Sequence, residues 1–495
     1  MRPKIPRLPW LVLPLAYLLY FFRLGGAGLI GPDEPRYAWI GRAMAQSGDW
    51  VTPRLWGQPW FEKPALLYWM SGAAFRLGLG PDVAPRLPVA LMGTAFLAFY
   101  WWMLRREFGC RPAWFATLIL GSSVAWLGFT QAGVPDLPLT ATFSASMLLA
   151  LPWIHNRDRR FLPAAALMLG LSVLAKGLVP LALAAPLAFR IRCFTDLLKW
   201  RVALPFLLVA TPWYVLCYMR NGSPFLSEFF LRHHFERFTS GALLHVQPWW
   251  FYLARLPALM LPWTPLLLLP AVRRGGWRDP RRSFLLAWFA FGLILFSASA
   301  NKLPGYVLPL LPAGAVLLGL ALDEMEDARG WLLACAVLLV AFPIAAPLMP
   351  AAAANQWAAA PRPAFQWTWL TPAIPAAAAW MLESRGRRLA AMLSVTAAIA
   401  AGMVYLKVRT QPEMERIVTA RRLAAQAAIH RGEICAGDIK RDWQYGLNYY
   451  LGAVVPDCEL EPHRFRILQA PGSPPSLQTA PRITGAEARP PVAPR

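Results

Sequence analysis

Runs of apolar residues, closed off by charged flanks, follow one another through most of this chain. At 1.5 Å per helical residue, a run of about 18 to 22 residues crosses the roughly 30 Å hydrocarbon layer of a bilayer, and roughly thirteen such runs are predicted as membrane helices. Several are interrupted by Pro, which membrane helices tolerate where neighbours satisfy the freed carbonyls. The polar segments between the runs alternate in character. Basic clusters stand at "MRPKIPR" from Met1, "RREFGCR" from Arg105, "HNRDRR" from His155, "RIRCFTDLLKWR" from Arg190, "RRGGWRDPRR" from Arg273 and "ESRGRR" from Glu383. Falling at every second boundary, they mark one face as cytoplasmic, with the N-terminus on it, and send the tail after about Lys407 to the opposite face. One loop dissents: "DEMEDAR" from Asp323 is cytoplasmic by order yet net acidic.

Composition agrees with this class. Of 495 residues, 57% are hydrophobic and only 15% charged, with 24 Trp, which excludes a large soluble enzyme. The net charge of +23 would fit a nucleic-acid partner if the Lys and Arg formed one basic domain. They lie instead in short clusters between apolar runs, so they are topology signals and no nucleic acid is expected. The N-terminal run lacks a small-residue cleavage site before its acidic loop and is read as a retained span. Cys110, Cys193, Cys217 and Cys335 sit in or beside apolar spans as small buried residues. Cys435 and Cys458 share the polar tail, in a compartment that permits disulfides, and are expected to pair across a strand-like hairpin.

The same topology gathers polar residues on the non-cytoplasmic face. The opening loop, about residues 25–82, brings "GPDEPRYAWIGRAMAQSGDW" and "GQPWFEKPALLYW"; "GVPDLPL" brings Asp136 and "LAKGLVP" brings Lys176. The long loop at 219–248 carries Arg237, His233, His234 and His245, and "SANKLPGY" carries Lys302 and Tyr306. Charges beside hydrocarbon are costly unless they pair or serve function, so a shared polar cavity is expected, with an interfacial surface of snorkelling side chains as its rival. Tyr37, Ile40 and Met44 share one helical face, which predicts a short interfacial helix over 35–48 with Asp33 at its entrance. Asp33 and Glu34 also fit as caps of that helix, and Glu34→Gln is expected to be mild on that account. Asp136 equally fits a cap of the next membrane helix, Lys176 a snorkelling side chain, and the histidines and Tyr306 members of an aromatic belt.

In this order, "DEPRYA…GDW…FEKPALLYW", "VPDLPLT", "LAKGLVPLAL", "HHFERF", "HVQPWWFY" and "NKLPGYVLP" resemble the C-type (GT-C) glycosyltransferases that use polyprenyl-phosphate sugars, particularly the bacterial lipid A aminoarabinose transferases and their protein O-mannosyltransferase relatives. The resemblance covers about the first 320 residues. It implies a bacterial inner-membrane glycosyltransferase, active on the periplasmic side, that moves a sugar with inversion from a polyprenyl-phosphate donor, such as an undecaprenyl phosphate sugar, to a lipid, glycan or protein acceptor of the cell envelope. The family's catalytic base maps onto Asp33 and its second acid onto Asp136. Cations are wanted around the departing phosphate, and Lys63, Arg237 and Lys302, with Tyr306 as a hydrogen-bond donor, fill that part. No cofactor is required, although the lipid A enzymes allow a divalent metal between Glu62 and His234. Where those enzymes carry an acidic, His-containing stretch, this chain has "TSGALLHV", so lipid A modification stays among the expected roles while the acceptor is left open between lipid, glycan and protein.

The whole is expected to be an all-α polytopic membrane protein with interfacial helices, a transmembrane GT-C domain over 1–407 and a small α/β periplasmic domain over 408–470. In the latter, "EMERIVTARRLAAQAAIH" reads as a helix and the stretches around Ile434 and Tyr449 to Val455 as strands. The Pro- and Ala-rich residues 471–495 are expected to be disordered. The alternative function is a transporter or flippase of polyprenyl-linked sugars, which would call for two similar halves and polar groups at mid-membrane depth, neither of which the sequence displays. A structural scaffold would not need the one-sided gathering of acids and cations.

Overall fold

A computed structural model of the chain describes residues 9–188, 195–230, 246–269, 278–355, 360 and 362–479. Helices run back and forth between two polar boundaries. Among the described residues, seven are long and apolar enough to cross a bilayer: Leu87–Phe108, Asp136–Asn156, Trp200–Asn221, Pro280–Ala298, Pro304–Glu324, Arg329–Ala354 and Arg388–Ile417. Cys110–Gly121 and Val124–Thr130, bent by 64°, make an eighth if they form one span, and Val12–Phe21 and Leu162–Lys176 are shorter apolar helices. The roughly thirteen runs counted in the sequence do not map one to one onto these helices. Proline is one reason, because it removes a backbone donor and clashes with the preceding turn. After Gly177 the apolar run is divided into Val179–Leu183 and Ala185–Ala188, and Phe251–Leu259 gives way to a 3-10 turn at Thr264–Leu268.

Asp136–Leu149 forms the centre, buried along nearly its whole length between Leu87–Phe108 and Leu162–Lys176. Its Thr140 and Thr142 hydroxyls donate to carbonyls one turn back, so these two buried polar groups are satisfied within the helix. Trp200–Asn221 packs outside Leu162–Lys176 and turns Leu207, Leu208 and Met219 outward, as a lipid-facing helix does. Gly170 permits that contact: a Cβ there would stand 3.0 Å from the Phe206 carbonyl oxygen.

At the boundary of the basic clusters, arginines meet acids from neighbouring loops. Arg106 lies 3.5 Å from Asp158, Arg111 lies 3.1 Å from Asp323, and Arg282 pairs with Glu324. The dissenting acidic loop at Asp323 is thereby explained, since two of its acids are partners for arginines of the same face.

At the other boundary lies the opening loop. Its interfacial helix spans Asp33–Ser47, buries Tyr37, Ile40 and Met44 as the pattern predicts, and ends on Gly48 at φ +74°. A hairpin follows, β1 (Arg54–Leu55) against β2 (Gln58–Pro59), turning through Trp56 at φ +53° and Gly57 at φ +83°. The chain after the last membrane helix forms a small domain on this loop. Its sheet, β3 (Ile434–Ala436), β4 (Phe465–Leu468) and β5 (Ser476–Thr479), has β4 in the middle, parallel to β3 and antiparallel to β5. Cys435 and Cys458 form the expected disulfide, S–S 2.09 Å.

Three expectations for the tail are corrected. The membrane helix continues unbroken past Lys407 to Ile417, and a separate helix, Arg421–Ala427, follows, where one amphipathic helix is expected. The stretch from Tyr449 is the end of a helix, Arg441–Leu451, capped by Gly452; Trp443, Leu447 and Leu451 repeat at helical spacing, which the alternating tyrosines conceal. Disorder from residue 471 is overturned for Ser476–Thr479, where β5 pairs along its length with β4. Backbone pairing there does not depend on the apolar side chains that the Pro-rich composition lacks.

Candidate active site

Asp33 is the first residue of the interfacial helix, after Pro32 at the N-cap position. It accepts instead from Arg36 at 2.5 Å, while its side chain stays 50% exposed. The Arg36 guanidinium, buried to 7%, also reaches Glu62 at 3.1 Å, and the other Glu62 oxygen lies 3.1 Å from the Lys63 ammonium. Asp33, Arg36, Glu62 and Lys63 therefore form one alternating row of acids and bases, open at the Asp33 end. Aromatic faces enclose the guanidinium, with Tyr37 at 5.1 Å and Trp60 at 5.6 Å. Burial alone would discourage its charge, yet the surroundings, Tyr37, Glu62 and Asp33 among them, hold Arg36 more firmly protonated than usual.

Glu34, the adjacent acid, faces the other way. It is buried and accepts from Arg86 at 2.7 and 2.9 Å, from the Ile30 N–H at 2.9 Å and from the Gly133 N–H at 2.8 Å. Burial pushes its carboxyl up, but Arg86 and the two amides outweigh this and hold it below the usual glutamate value. Arg86 donates further to the Ala27 and Gly28 carbonyls at 2.7 and 2.9 Å. The pair thus binds the opening loop to the head of the Leu87–Phe108 helix and to the turn before Asp136. Glu34 is the partner of a buried arginine, and neutralising it would strand that charge.

Asp136 is the first residue of its own helix, after Pro135, and pairs with Lys176 at 2.6 Å, both side chains largely buried. The Lys176 ammonium also lies 4.6 Å from the centre of the Tyr306 ring. Gly305 borders the same carboxylate; a Cβ there would stand 2.9 Å from Asp136 Oδ1 and 2.7 Å from Phe129, so the close approach requires glycine. Because Gly133 is held by Glu34, this second group is fastened to the residue beside Asp33. Lys302 is placed differently. It is 4% exposed and donates to the Gln247 carbonyl at 2.9 Å and to the Ser299 carbonyl, and desolvation lowers its pKa.

Arg237 and His234 lie outside the described residues. Among the described residues, no group of three or more His, Cys, Asp or Glu is placed to hold a metal. Both Glu62 oxygens face cations, so this carboxylate does not fit a metal ligand without displacing one of them. Arg36 and Arg86 are the participants that sequence reasoning missed. Their signal was available: both are arginines on the face that the basic clusters avoid, where a cation needs a partner.

Residues 62–216 match a family described as dolichyl-phosphate-mannose-protein mannosyltransferase. The chain is 33% identical over 334 residues to the undecaprenyl phosphate-alpha-4-amino-4-deoxy-L-arabinose arabinosyl transferase of Pseudomonas aeruginosa (strain UCBPP-PA14), covering 64% of this chain and 60% of that protein. With the same enzyme of Aeromonas salmonicida (strain A449) it shares 32% identity over 334 residues, again 64% and 60% of the two chains. It thus spans about 60% of the length of the curated relatives it matches. A crystal structure of ArnT from Cupriavidus metallidurans bound to undecaprenyl phosphate has a TM-score of 0.75 at 24% identity and covers 93% of each chain. The resemblance read from the motifs is borne out, and the architecture is the GT-C fold of a multi-pass membrane protein.

Proposed function

We propose that this relative of the bacterial aminoarabinose transferases is an inverting glycosyltransferase that moves a sugar from a polyprenyl-phosphate donor to an acceptor hydroxyl. The observation that carries the reading is the half-open Asp33 carboxylate at the end of the buried row Arg36, Glu62 and Lys63. In the step, the acceptor oxygen attacks the anomeric carbon from the face opposite the phosphate and gives its proton to Asp33. The bond from the anomeric carbon to the phosphate oxygen breaks, and polyprenyl phosphate leaves with the electron pair. One displacement inverts the centre without a second carboxylate nucleophile.

Arg36 holds the Asp33 carboxylate at the open end of the row, where an acceptor hydroxyl can reach it. Lys63, Arg237, Lys302 and Tyr306 are assigned to the donor phosphate, with Lys302 exchanging a backbone carbonyl for a phosphate oxygen. Asp136, clamped by Lys176, serves as the second acid beside the reacting sugar. No step passes through a metal. The arginine-rich boundary is assigned to the cytoplasm, which puts the N-terminus there and puts the site and the small domain in the periplasm. The donor carries its own lipid anchor, so grooves between the helices suffice for its chain.

The test supplies purified protein with a panel of polyprenyl-phosphate sugars, aminoarabinose first, together with lipid, glycan and protein acceptors. Release of polyprenyl phosphate coupled to acceptor modification is expected with at least one pair. Movement of intact donor across vesicles without release would instead favour a transporter.

A further inference from the structure

The small-domain helix Arg441–Leu451 has two buried sides with different neighbours. Trp443, Leu447 and Leu451 pack into that domain's own core. Tyr445 points the other way and joins the large core of the membrane part. Its ring stacks on Trp56 with centres 5.0 Å apart and planes 25° apart. Trp56 is the tip of the β1–β2 hairpin at φ +53°, a conformation that a bulky residue keeps only where its surroundings hold it. The Arg36 guanidinium lies 6.0 Å from the centre of the same Tyr445 ring. The Arg441 guanidinium, 5.0 Å from the ring centre, donates to the Tyr445 hydroxyl at 3.0 Å. Tyr445 therefore sits between the hairpin tip and the cation that holds both Asp33 and Glu62.

This seat depends on docking of the whole domain. Arg42 donates to the Tyr449 carbonyl at 2.8 Å, the Tyr449 hydroxyl to the Pro81 carbonyl at 2.8 Å, and the Tyr450 hydroxyl to Asp82 at 2.5 Å. We propose that Tyr445 is a positioning residue for the transfer reaction, packing on Trp56 and against Arg36 so that the guanidinium orienting Asp33 is fixed only when the small domain is docked. The proposal rests on Asp33 being the base. Neighbouring Asp442 agrees with this placement, since desolvation raises its carboxyl pKa and the nearby Asp33 charge adds to the rise. The ring, rather than the hydroxyl, does the positioning, because both Trp56 and Arg36 meet its face.

The test uses the full-length protein in detergent or nanodiscs. In Tyr445→Ala, kcat is expected to fall by about tenfold or more, the scale of a misplaced catalytic group, with donor KM changed by less than about twofold. Tyr445→Phe keeps the ring and should restore kcat to within about twofold of parental. Trp443→Leu loosens the domain core while leaving the ring in place, and should cost less kcat than Tyr445→Ala. Hydrogen exchange supplies a readout that does not require turnover: amides of residues 54–60, including the Trp60 N–H that donates to the Pro53 carbonyl at 2.8 Å, should exchange faster in Tyr445→Ala and not in Tyr445→Phe. Parental kcat in Tyr445→Ala, an equal loss in Tyr445→Phe, or unchanged exchange in the hairpin would each overturn the proposal. An Asp33→Asn protein that transfers at the parental rate would instead remove the base assignment, a result separate from either readout on Tyr445.

Discussion

The two membrane boundaries of this protein use the same residue types for different ends. At the arginine-rich boundary, pairs such as Arg111 with Asp323, exposed 65% and 26%, stand in contact with solvent. At the opposite boundary, Arg86 with Glu34 are exposed only 5% and 6%, and Arg36 with Glu62 only 7% and 9%. Exposed pairs contribute little, about 0–1 kcal/mol, because water competes for both partners and side-chain entropy is lost. Buried pairs gain little over an apolar replacement but are severe to break, since the abandoned charge has no water to turn to. Charge at the first boundary therefore sits largely in solvent and fixes few atoms. At the second it holds specific atoms in place, and within the row of Asp33, Arg36, Glu62 and Lys63 the carboxylate left half open is Asp33. Arg388 with Glu383 departs from this contrast: buried on the arginine-rich side, Arg388 donates to the Leu322 and Met325 carbonyls and ties helix ends together.

Substitutions across this contrast should fall in a graded series. The largest effect is expected for Asp33→Asn, which keeps size but removes the base: turnover should fall by about 10²–10⁴-fold with normal insertion and melting, and near-parental turnover would break the division between open and closed acids. Next comes Glu34→Gln, or Arg86→Met with its partner retained. Thermal or denaturant unfolding should reveal a loss of about 3–5 kcal/mol, the cost of a stranded buried charge. A loss below about 1 kcal/mol would place this pair with the exposed ones. Since Glu34 is held below its usual pKa, its stabilisation is fully present above the ordinary glutamate value of about 4.3 and is lost as pH falls through the depressed folded-state value. A melting temperature that drops between pH 7 and 5 in the parental protein, and not in Glu34→Gln, would contradict that sign.

A smaller effect is expected for Lys63→Ala. Removing one charge-assisted bond to phosphate should lower kcat/KM for the donor by an amount equivalent to about 1.5–3 kcal/mol. Unchanged use of limiting donor would return Lys63 to a purely structural place beside Glu62. Arg111→Ala at the solvent-facing boundary should shift stability by no more than about 0.5 kcal/mol and leave transfer untouched. A large loss there would show that the two boundaries differ less than their burial indicates.

Much of the architecture was legible in the order of residues, because lipid allows few alternatives: apolar length makes spans, and the polar loops between them gather at two boundaries. The interfacial helix with Tyr37, Ile40 and Met44 buried, the gathering of Asp33, Asp136 and Lys63 at one boundary, and the pairing of Cys435 with Cys458 all follow from local pattern and compartment. Pattern could not separate Asp33 from Glu34, two adjacent acids at one helix entrance. Only the tertiary structure decided that Glu34 turns inward to Arg86, 52 residues away, while Asp33 stays open beside Arg36. It likewise decided that Lys302 turns to backbone carbonyls, that Lys176 clamps Asp136, and that Tyr445 reaches back across the chain to Trp56 and Arg36. The physical reason is the same in each case. Hydrophobic length and loop charge act on each segment alone and are written along the chain, whereas the partner of a buried charge is set by which distant segments fold to within about 3 Å of it.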